Sequence, residues 1–132
     1  MKSIPSLALL VILAVGTATA DIIIRDGIVA TSLVRVIASP EQYAGKRIMI
    51  TGYYVAAFEH SAIYITRDDA RVGNPQQSLW IGGPKEGYDV KYPRKGFISV
   101  VGTLKYESGE GAGHMGIWLG EIVDVEFLRI HK

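Results

Sequence analysis

The sequence predicts a mainly β protein, a small five-stranded barrel with a short N-terminal helix. Two observations carry this prediction. From Lys46 onward, apolar residues alternate with a period of two in several separate segments, as in strands that bury one face. Two of those segments contain a glycine, Gly52 and Gly102, where a strand can bend sharply. An open sandwich, or a sheet packed on the N-terminal helix, is the alternative architecture.

The short helix is predicted from an apolar stripe that precedes the first strand. The residues of the stripe recur at helical spacing and are Leu33, Val34, Val36 and Ile37. Thr31 or Ser32 is the candidate N-cap, and Pro40 stops the helix. A second turn follows, in which Ser39 is expected to cap and Gln42 to reach back toward it.

The five strands are separated by segments rich in glycine, proline and charge. We expect strands at residues 47–55, 60–66, 78–81, 96–106 and 115–130. The polar connection 67–77 is predicted to contain a helical turn capped by Asp69. Three glycines make residues 107–113 a flexible tip in this interpretation.

An internal similarity narrows the barrel type. Residues 47–52 and 97–102 both have the pattern x-Ile-x-aliphatic-x-Gly, and they lie in the first and fourth predicted strands. Those are the two strands that bend in an OB-fold, because each is shared between the two halves of the barrel. The sequence therefore predicts an OB-like barrel.

The first twenty residues have the pattern of an export signal. Lys2 is followed by the unbroken apolar run Leu7–Val15 and by the small residues Ala18-Thr19-Ala20. Nine apolar residues make about 14 Å of helix, which is too short for a membrane span. A buried N-terminal helix is the alternative. We expect cleavage before Asp21, a single domain at residues 21–132, and a periplasmic or secreted bacterial protein without a stable membrane anchor.

Charge and cysteine content exclude several classes of partner. Removal of residues 1–20 leaves 14 − 1 = 13 basic residues against 13 acidic ones. A domain of zero net charge lacks the overall basic charge typical of nucleic-acid binding, so we expect neither nucleic acid nor an anionic membrane surface as partner. The chain has no cysteine, so stability has to come from the core.

Residues 32–53 resemble the opening of small exported bacterial OB-fold proteins of uncharacterised function. The resemblance is carried by Ser32, Ala38, Pro40-Glu41, Tyr43, Gly45-Lys46, Ile48 and Gly52-Tyr53. It continues at Phe58-Glu59, Ile63-Tyr64, Asp69-Ala70, Leu79-Trp80 and Gly113–Trp118, and covers most of residues 31–128. The resemblance implies an OB-fold and, by analogy of fold, a binding module.

Aromatic residues on or near the first three strands are the best candidates for ligand contact. The barrel face of strands one to three, with its flanking loops, is the expected ligand face of an OB-fold. We therefore expect contacts from Tyr54, Phe58, Tyr64 and Trp80, with the loops at 66–78 and 105–116 beside them. Because Tyr53 and Tyr54 point to opposite faces, one of them belongs to the core. Core packing is the alternative role for each of these rings.

His114 is the fifth candidate ligand contact, because glycines flank it closely. With His60 and Glu59 it could form a two-histidine, one-carboxylate metal set, yet no zinc-motif spacing is present. No serine nucleophile motif, phosphate loop or assignable carboxylate pair occurs. We expect no cofactor, no metal and no catalytic residue.

The expected function is non-catalytic binding of a protein, a peptide or a cell-envelope polymer, including inhibition of another secreted protein. A small metal-dependent or hydrolytic enzyme using His114 and His60 is the alternative.

Overall fold

The computed structural model describes residues 21–132; the predicted export signal at 1–20 lies outside the described residues. The strands are β1 (Ile22–Ile23), β2 (Val29–Ala30), β3 (Arg47–Ala57), β4 (His60–Tyr64), β5 (Ser78–Ile81), β6 (Lys95–Lys105) and β7 (Glu121–Ile130). The α-helices are α1 (Leu33–Ala38) and α2 (Arg67–Val72). Single 3-10 turns lie at Arg25–Gly27, Pro40–Gln42, Pro75–Gln77 and His114–Gly116.

Five of the strands close into a barrel, which confirms the mainly β fold and rules out an open sandwich. The order around the barrel is β3, β4, β5, β7, β6 and back to β3. All neighbours are antiparallel except β5 and β7, which run parallel. The short strands β1 and β2 extend the sheet beyond β3, with β2 parallel to β3.

The two glycine-containing strands, β3 and β6, pair with each other. In their register Ile48 lies opposite Gly102, and Gly52 lies opposite Ile98. Each isoleucine of the repeated pattern therefore faces the glycine of the other copy. A Cβ on Gly52 would lie 2.6 Å from the carbonyl oxygen of Tyr64, so only glycine leaves room for the neighbouring chain there.

The core fills the barrel and reaches one of its ends. Helix α1 contributes the buried side chains Leu33 and Val36, and Ser32 caps it by accepting a hydrogen bond from the Arg35 amide. Leu33 lies directly over Gly52, so the helix packs where β3 has no side chain. The following turn begins at Pro40, without the side-chain cap expected from Ser39.

Two connections differ from the expectation. Helix α2 is capped by Thr66, whose hydroxyl accepts from the Asp69 amide and donates to its carboxylate, so Asp69 is the partner of the cap and not the cap itself. Strand β7 begins at Glu121 and not at residue 115, because Met115 and Gly116 both have positive φ angles and turn the chain. The segment before β7 is consequently free to fold over the outside of the barrel.

Candidate functional site

A second, smaller cluster of buried side chains lies on the outside of the barrel wall. Ile63 of β4 points into the barrel, whereas Ala62 and Tyr64 point outward and are nevertheless fully buried. Trp118, from the segment between β6 and β7, covers them and is itself 5% exposed. Trp80 of β5 packs against the same cluster. This segment thus gives the β4–β5 wall a packed outer layer.

The cluster is built from aromatic rings in edge and tilted contacts. The centroid of Trp118 lies 5.3 Å from that of His60, 5.5 Å from Trp80 and 6.4 Å from Tyr64. His114 stacks on Trp80, with centroids 6.3 Å apart and an interplanar angle of 27°. Contacts of this geometry add to the stabilisation from burial, so the rings hold the covering segment in place.

Glycines allow that close cover. A Cβ on Gly113 would lie 2.7 Å from an atom of each indole ring, Trp80 and Trp118. The amides of Ala112 and Trp118 each donate to the other's carbonyl over 3.0 Å. The end of the segment that was expected to be a flexible tip is therefore pinned to the cluster by packing and by backbone hydrogen bonds.

Two loop tips meet at the rim of this cluster and form the surface that we name the docking corner: Phe58, Glu59, His114 and Met115. The Nε2 atom of His114 lies 3.0 Å from Oε1 of Glu59, which joins the β3–β4 hairpin to the covering segment. Phe58 is 90% exposed and Met115 is 76% exposed. Glu59 and Met115 also adopt left-handed backbone conformations, with φ of 53° and 65°. Strain of this kind in non-glycine residues is found preferentially at functional sites.

His60 differs from His114 because it is partly buried. Its Nε2 atom lies 3.0 Å from the hydroxyl of Tyr64, and its ring meets the edge of Trp118. Burial lowers the pKa of His60 and raises the pKa of Tyr64. Both groups are therefore neutral at neutral pH, and His60 belongs to the packed cluster.

The five predicted contact residues fall into different environments. Phe58 and His114 are on the surface, and Trp80 is partly exposed. Tyr64 is 0% exposed beneath Trp118, so its ring is not open to a ligand. Tyr54 is 2% exposed inside the barrel, where its hydroxyl lies 2.9 Å from Ser61 Oγ. Tyr53 and Tyr54 point to opposite faces as expected, and Tyr54 is the one that belongs to the core, whereas Tyr53 points outward.

The structure does not assemble a metal-ligand set. No group of three or more histidine, cysteine, aspartate or glutamate side chains suited to a metal ion occurs within residues 21–132. His60 and His114 belong to the same cluster, but one contacts Trp118 and Tyr64 while the other contacts Trp80 and Glu59. The residues named for the enzyme alternative thus serve packing and loop contact.

One serine–histidine contact was missed by the sequence reasoning. Ser99 Oγ lies 2.8 Å from Nε2 of His131 and 2.6 Å from the hydroxyl of Thr51. The antiparallel pairing of β6 and β7 brings these distant positions together, and no spacing rule signals it. Among the described residues no carboxylate contacts His131, so the orienting third group of a hydrolytic triad is not present. The contact ties the end of the chain to the sheet.

No protein-family model, curated protein or solved structure matches this chain. Within residues 21–132, no helix has the length and apolar character needed to cross a membrane.

Proposed function

We propose that this chain is an exported OB-type domain that binds a protein or peptide, without catalysis, at the docking corner. The OB assignment is supported by the closed barrel in which the third and fifth barrel strands, β5 and β7, are parallel neighbours. It is also supported by the pairing of β3 with β6, the first and fourth barrel strands, each of which carries a glycine with no room for a side chain.

The observation that carries the binding function is the exposure of Phe58 and Met115 on two loops held together by the Glu59–His114 pair. A large apolar ring in water has no packing role in the fold, whereas aromatic and methionine side chains are enriched where proteins recognise one another. The pair fixes the relative position of the two tips, so less conformational entropy is lost when a ligand binds.

The chemistry of the corner favours a polypeptide over a glycan. Binding a sugar by stacking needs an open aromatic face, and the faces of the other rings in the cluster are used internally. Trp80 packs against His114 and Gly113, while Trp118 and Tyr64 are buried. Apolar side chains of a peptide can be accommodated by Phe58 and by the adaptable Met115, with the Glu59–His114 pair at the edge.

A peptide-display selection on the immobilised protein tests this function. We expect selected peptides with apolar or aromatic anchors to bind wild type and to bind the Phe58→Ser/Met115→Ser variant about tenfold or more weakly. Val72→Ser is the matched control, since Val72 is a 79% exposed apolar residue on α2, outside the corner. Equal affinity of the selected peptides for wild type and for the corner variant would overturn the proposal.

The export proposal has its own measurement. Cleavage before Asp21 would leave a residue that the fold already uses, because the Asp21 carboxylate accepts hydrogen bonds from the hydroxyls of Thr31 and Tyr43, at 2.5 and 2.6 Å. Intact mass of the protein recovered from the periplasm of an expressing bacterium should correspond to a chain starting at Asp21. A cytoplasmic product that retains Met1 would contradict it.

A further inference from the structure

A concave basic surface lies on another side of the barrel, where helix α2 packs beside β3 and the start of β6. One depression of about 260 Å³ is lined by Tyr53, Val55, Ala70 and the cations Arg67, Arg71 and Lys95. A second depression of about 330 Å³ is lined by Val55, Ala56, Arg94 and Lys95. We name Arg67, Arg71, Arg94 and Lys95 the basic cleft.

The two depressions are adjacent because they share Val55 and Lys95. Val55 and Lys95 are direct partners in the β3–β6 ladder. Arg67 and Arg71 are four positions apart on α2, so they project from the same face of the helix. Three different elements therefore direct positive charge toward one concave surface.

The four cations have no carboxylate partner at ion-pair distance among the described residues. Within residues 21–132, the basic side chains that lie at ion-pair distance from a carboxylate are Arg35, Arg47, Lys91 and His114. The two acids of α2 form no ion pair with the cleft cations: Asp69 accepts from Thr66, and Asp68 is exposed. Uncompensated like charges on a concave surface repel one another, and an anion in the cleft relieves that repulsion.

An aromatic pair borders the same surface. Tyr53 and Phe97 lie opposite each other on β3 and β6, with ring centroids 5.1 Å apart in an edge contact. Phe97 is 43% exposed. Guanidinium groups beside exposed rings suit a ligand that alternates anionic groups with less polar linkers, because Arg pairs bidentately with phosphate and the rings cover the linker.

We propose that the basic cleft binds consecutive phosphoryl groups of a linear polyanion, with Lys95 between two adjacent anion positions. The concave shape favours a chain over a flat anionic membrane, which would meet only the rim of two depressions. A net charge of zero for the domain is compatible with this site, because the net charge is a sum over all residues and does not show where the charges lie. Five of the acidic residues follow β6, whereas only Asp68 and Asp69 lie on α2; the five are Glu107, Glu110, Glu121, Asp124 and Glu126.

Calorimetric titration with tripolyphosphate tests the cleft, with inorganic phosphate as the single-anion arm. We expect tripolyphosphate to bind about tenfold or more tightly than inorganic phosphate, because only the longer ligand spans both positions. Arg71→Gln and Lys95→Gln should each weaken binding several-fold and reduce the slope of log K against log salt by about one. Lys105→Gln is the matched control, since Lys105 is an exposed cation at the opposite end of β6. Circular dichroism of each variant establishes that it is folded.

Further arms distinguish the sources of phosphate and separate this site from the docking corner. A short single-stranded oligonucleotide that binds with the same loss in Arg71→Gln would support the cleft and identify phosphodiesters as ligands. The Phe58→Ser/Met115→Ser variant should bind tripolyphosphate like wild type. The proposal is overturned if Lys105→Gln weakens binding as much as Arg71→Gln, or if tripolyphosphate gives no saturable heat. It is also overturned if vesicles of phosphatidylglycerol bind while tripolyphosphate does not.

Discussion

Replacement of Gly52 by alanine should destabilise the barrel far more than its single added methyl group suggests. The new Cβ would lie 2.6 Å from the carbonyl oxygen of Tyr64, 2.8 Å from Cγ1 of Ile63 and 2.9 Å from Cδ2 of Leu33. Carbon atoms in contact prefer about 3.5–4.0 Å, so each of these distances is too short. The oxygen belongs to the backbone of β4 and cannot move without disturbing the pairing of Tyr64 with Tyr53.

The expected magnitude follows from these three contacts. Overpacking of a core by one methyl group costs about 1–3 kcal/mol, and a backbone contact places Gly52→Ala at the upper end, about 3 kcal/mol. Loss of unfolded-state entropy on replacing glycine offsets about 0.4–1 kcal/mol of that. The net loss of about 2 kcal/mol corresponds to a melting temperature lower by about 8 °C in a domain of this size.

Urea unfolding followed by far-ultraviolet circular dichroism measures this loss. Gly83→Ala is the control, because a Cβ there meets nothing within 4 Å and Gly83 is not among the glycines with positive φ. We expect Gly83→Ala to stay within about 0.5 kcal/mol of wild type. Gly102→Ala should behave like Gly52→Ala, since its Cβ would lie 2.5 Å from a methyl carbon of Ile122. Equal stability of Gly52→Ala and Gly83→Ala would refute the conclusion that Gly52 is required because a side chain has no space there.

Three further predictions concern side chains of the outer layer and the barrel wall. Burial lowers the pKa of His60, so the unfolded state takes up its proton first and wild type should lose stability as pH falls below about 6.5. The loss should be smaller in His60→Phe when both proteins are unfolded with denaturant at each pH. Arg47 donates to both carboxylate oxygens of Glu126 at 2.9 and 2.7 Å and holds the pKa of that carboxyl below its usual value, so Glu126→Gln should be less stable than wild type at neutral pH. The difference should disappear as acid protonates Glu126, and a constant difference down to pH 2 would contradict this account. Trp118→Ala should lower the free energy of unfolding in urea by about 3 kcal/mol, because the indole is buried where it covers the β4–β5 wall. A clearly smaller loss would contradict that role.

The sequence was sufficient for the barrel strands, apart from the start of β7, because their patterns depend on local chemistry. Alternation placed β3 and β6 with small errors at their ends, and the repeated glycine pattern marked the two strands that pair glycine to isoleucine. The cap of α2 was assigned to Asp69 and not to Thr66, since both residues have the side-chain oxygen that a cap needs. Only the position of the first helical amide distinguishes them, and the sequence does not show it.

The site was predictable only in part, because its geometry depends on contacts between distant segments. Phe58 and His114 were named from the sequence, and both lie at the docking corner. The burial of Tyr64 depends on Trp118, which lies 54 positions later in the chain. The sequence pattern of the segment that carries Trp118 does not show that it covers β4. The basic cleft was hidden for the same reason: its cations come from α2, from the end of a loop and from β6, and their sum is balanced by acids elsewhere.

The docking corner and the barrel depend on different interactions, so the proposed recognition of a peptide is separate from the stability of the fold. The side chains of His114 and Glu59 are 40% and 46% exposed, and a histidine–carboxylate contact in that environment contributes at most about 1 kcal/mol to folding. The same pair nevertheless determines how the tips carrying Phe58 and Met115 face each other. Breaking it should therefore change the affinity for a peptide more than the free energy of unfolding, because the two tips would then have to be ordered by the ligand itself. In the barrel core, by contrast, Gly52 and Gly102 leave no room for an added methyl group, so substitution there changes the free energy of unfolding directly.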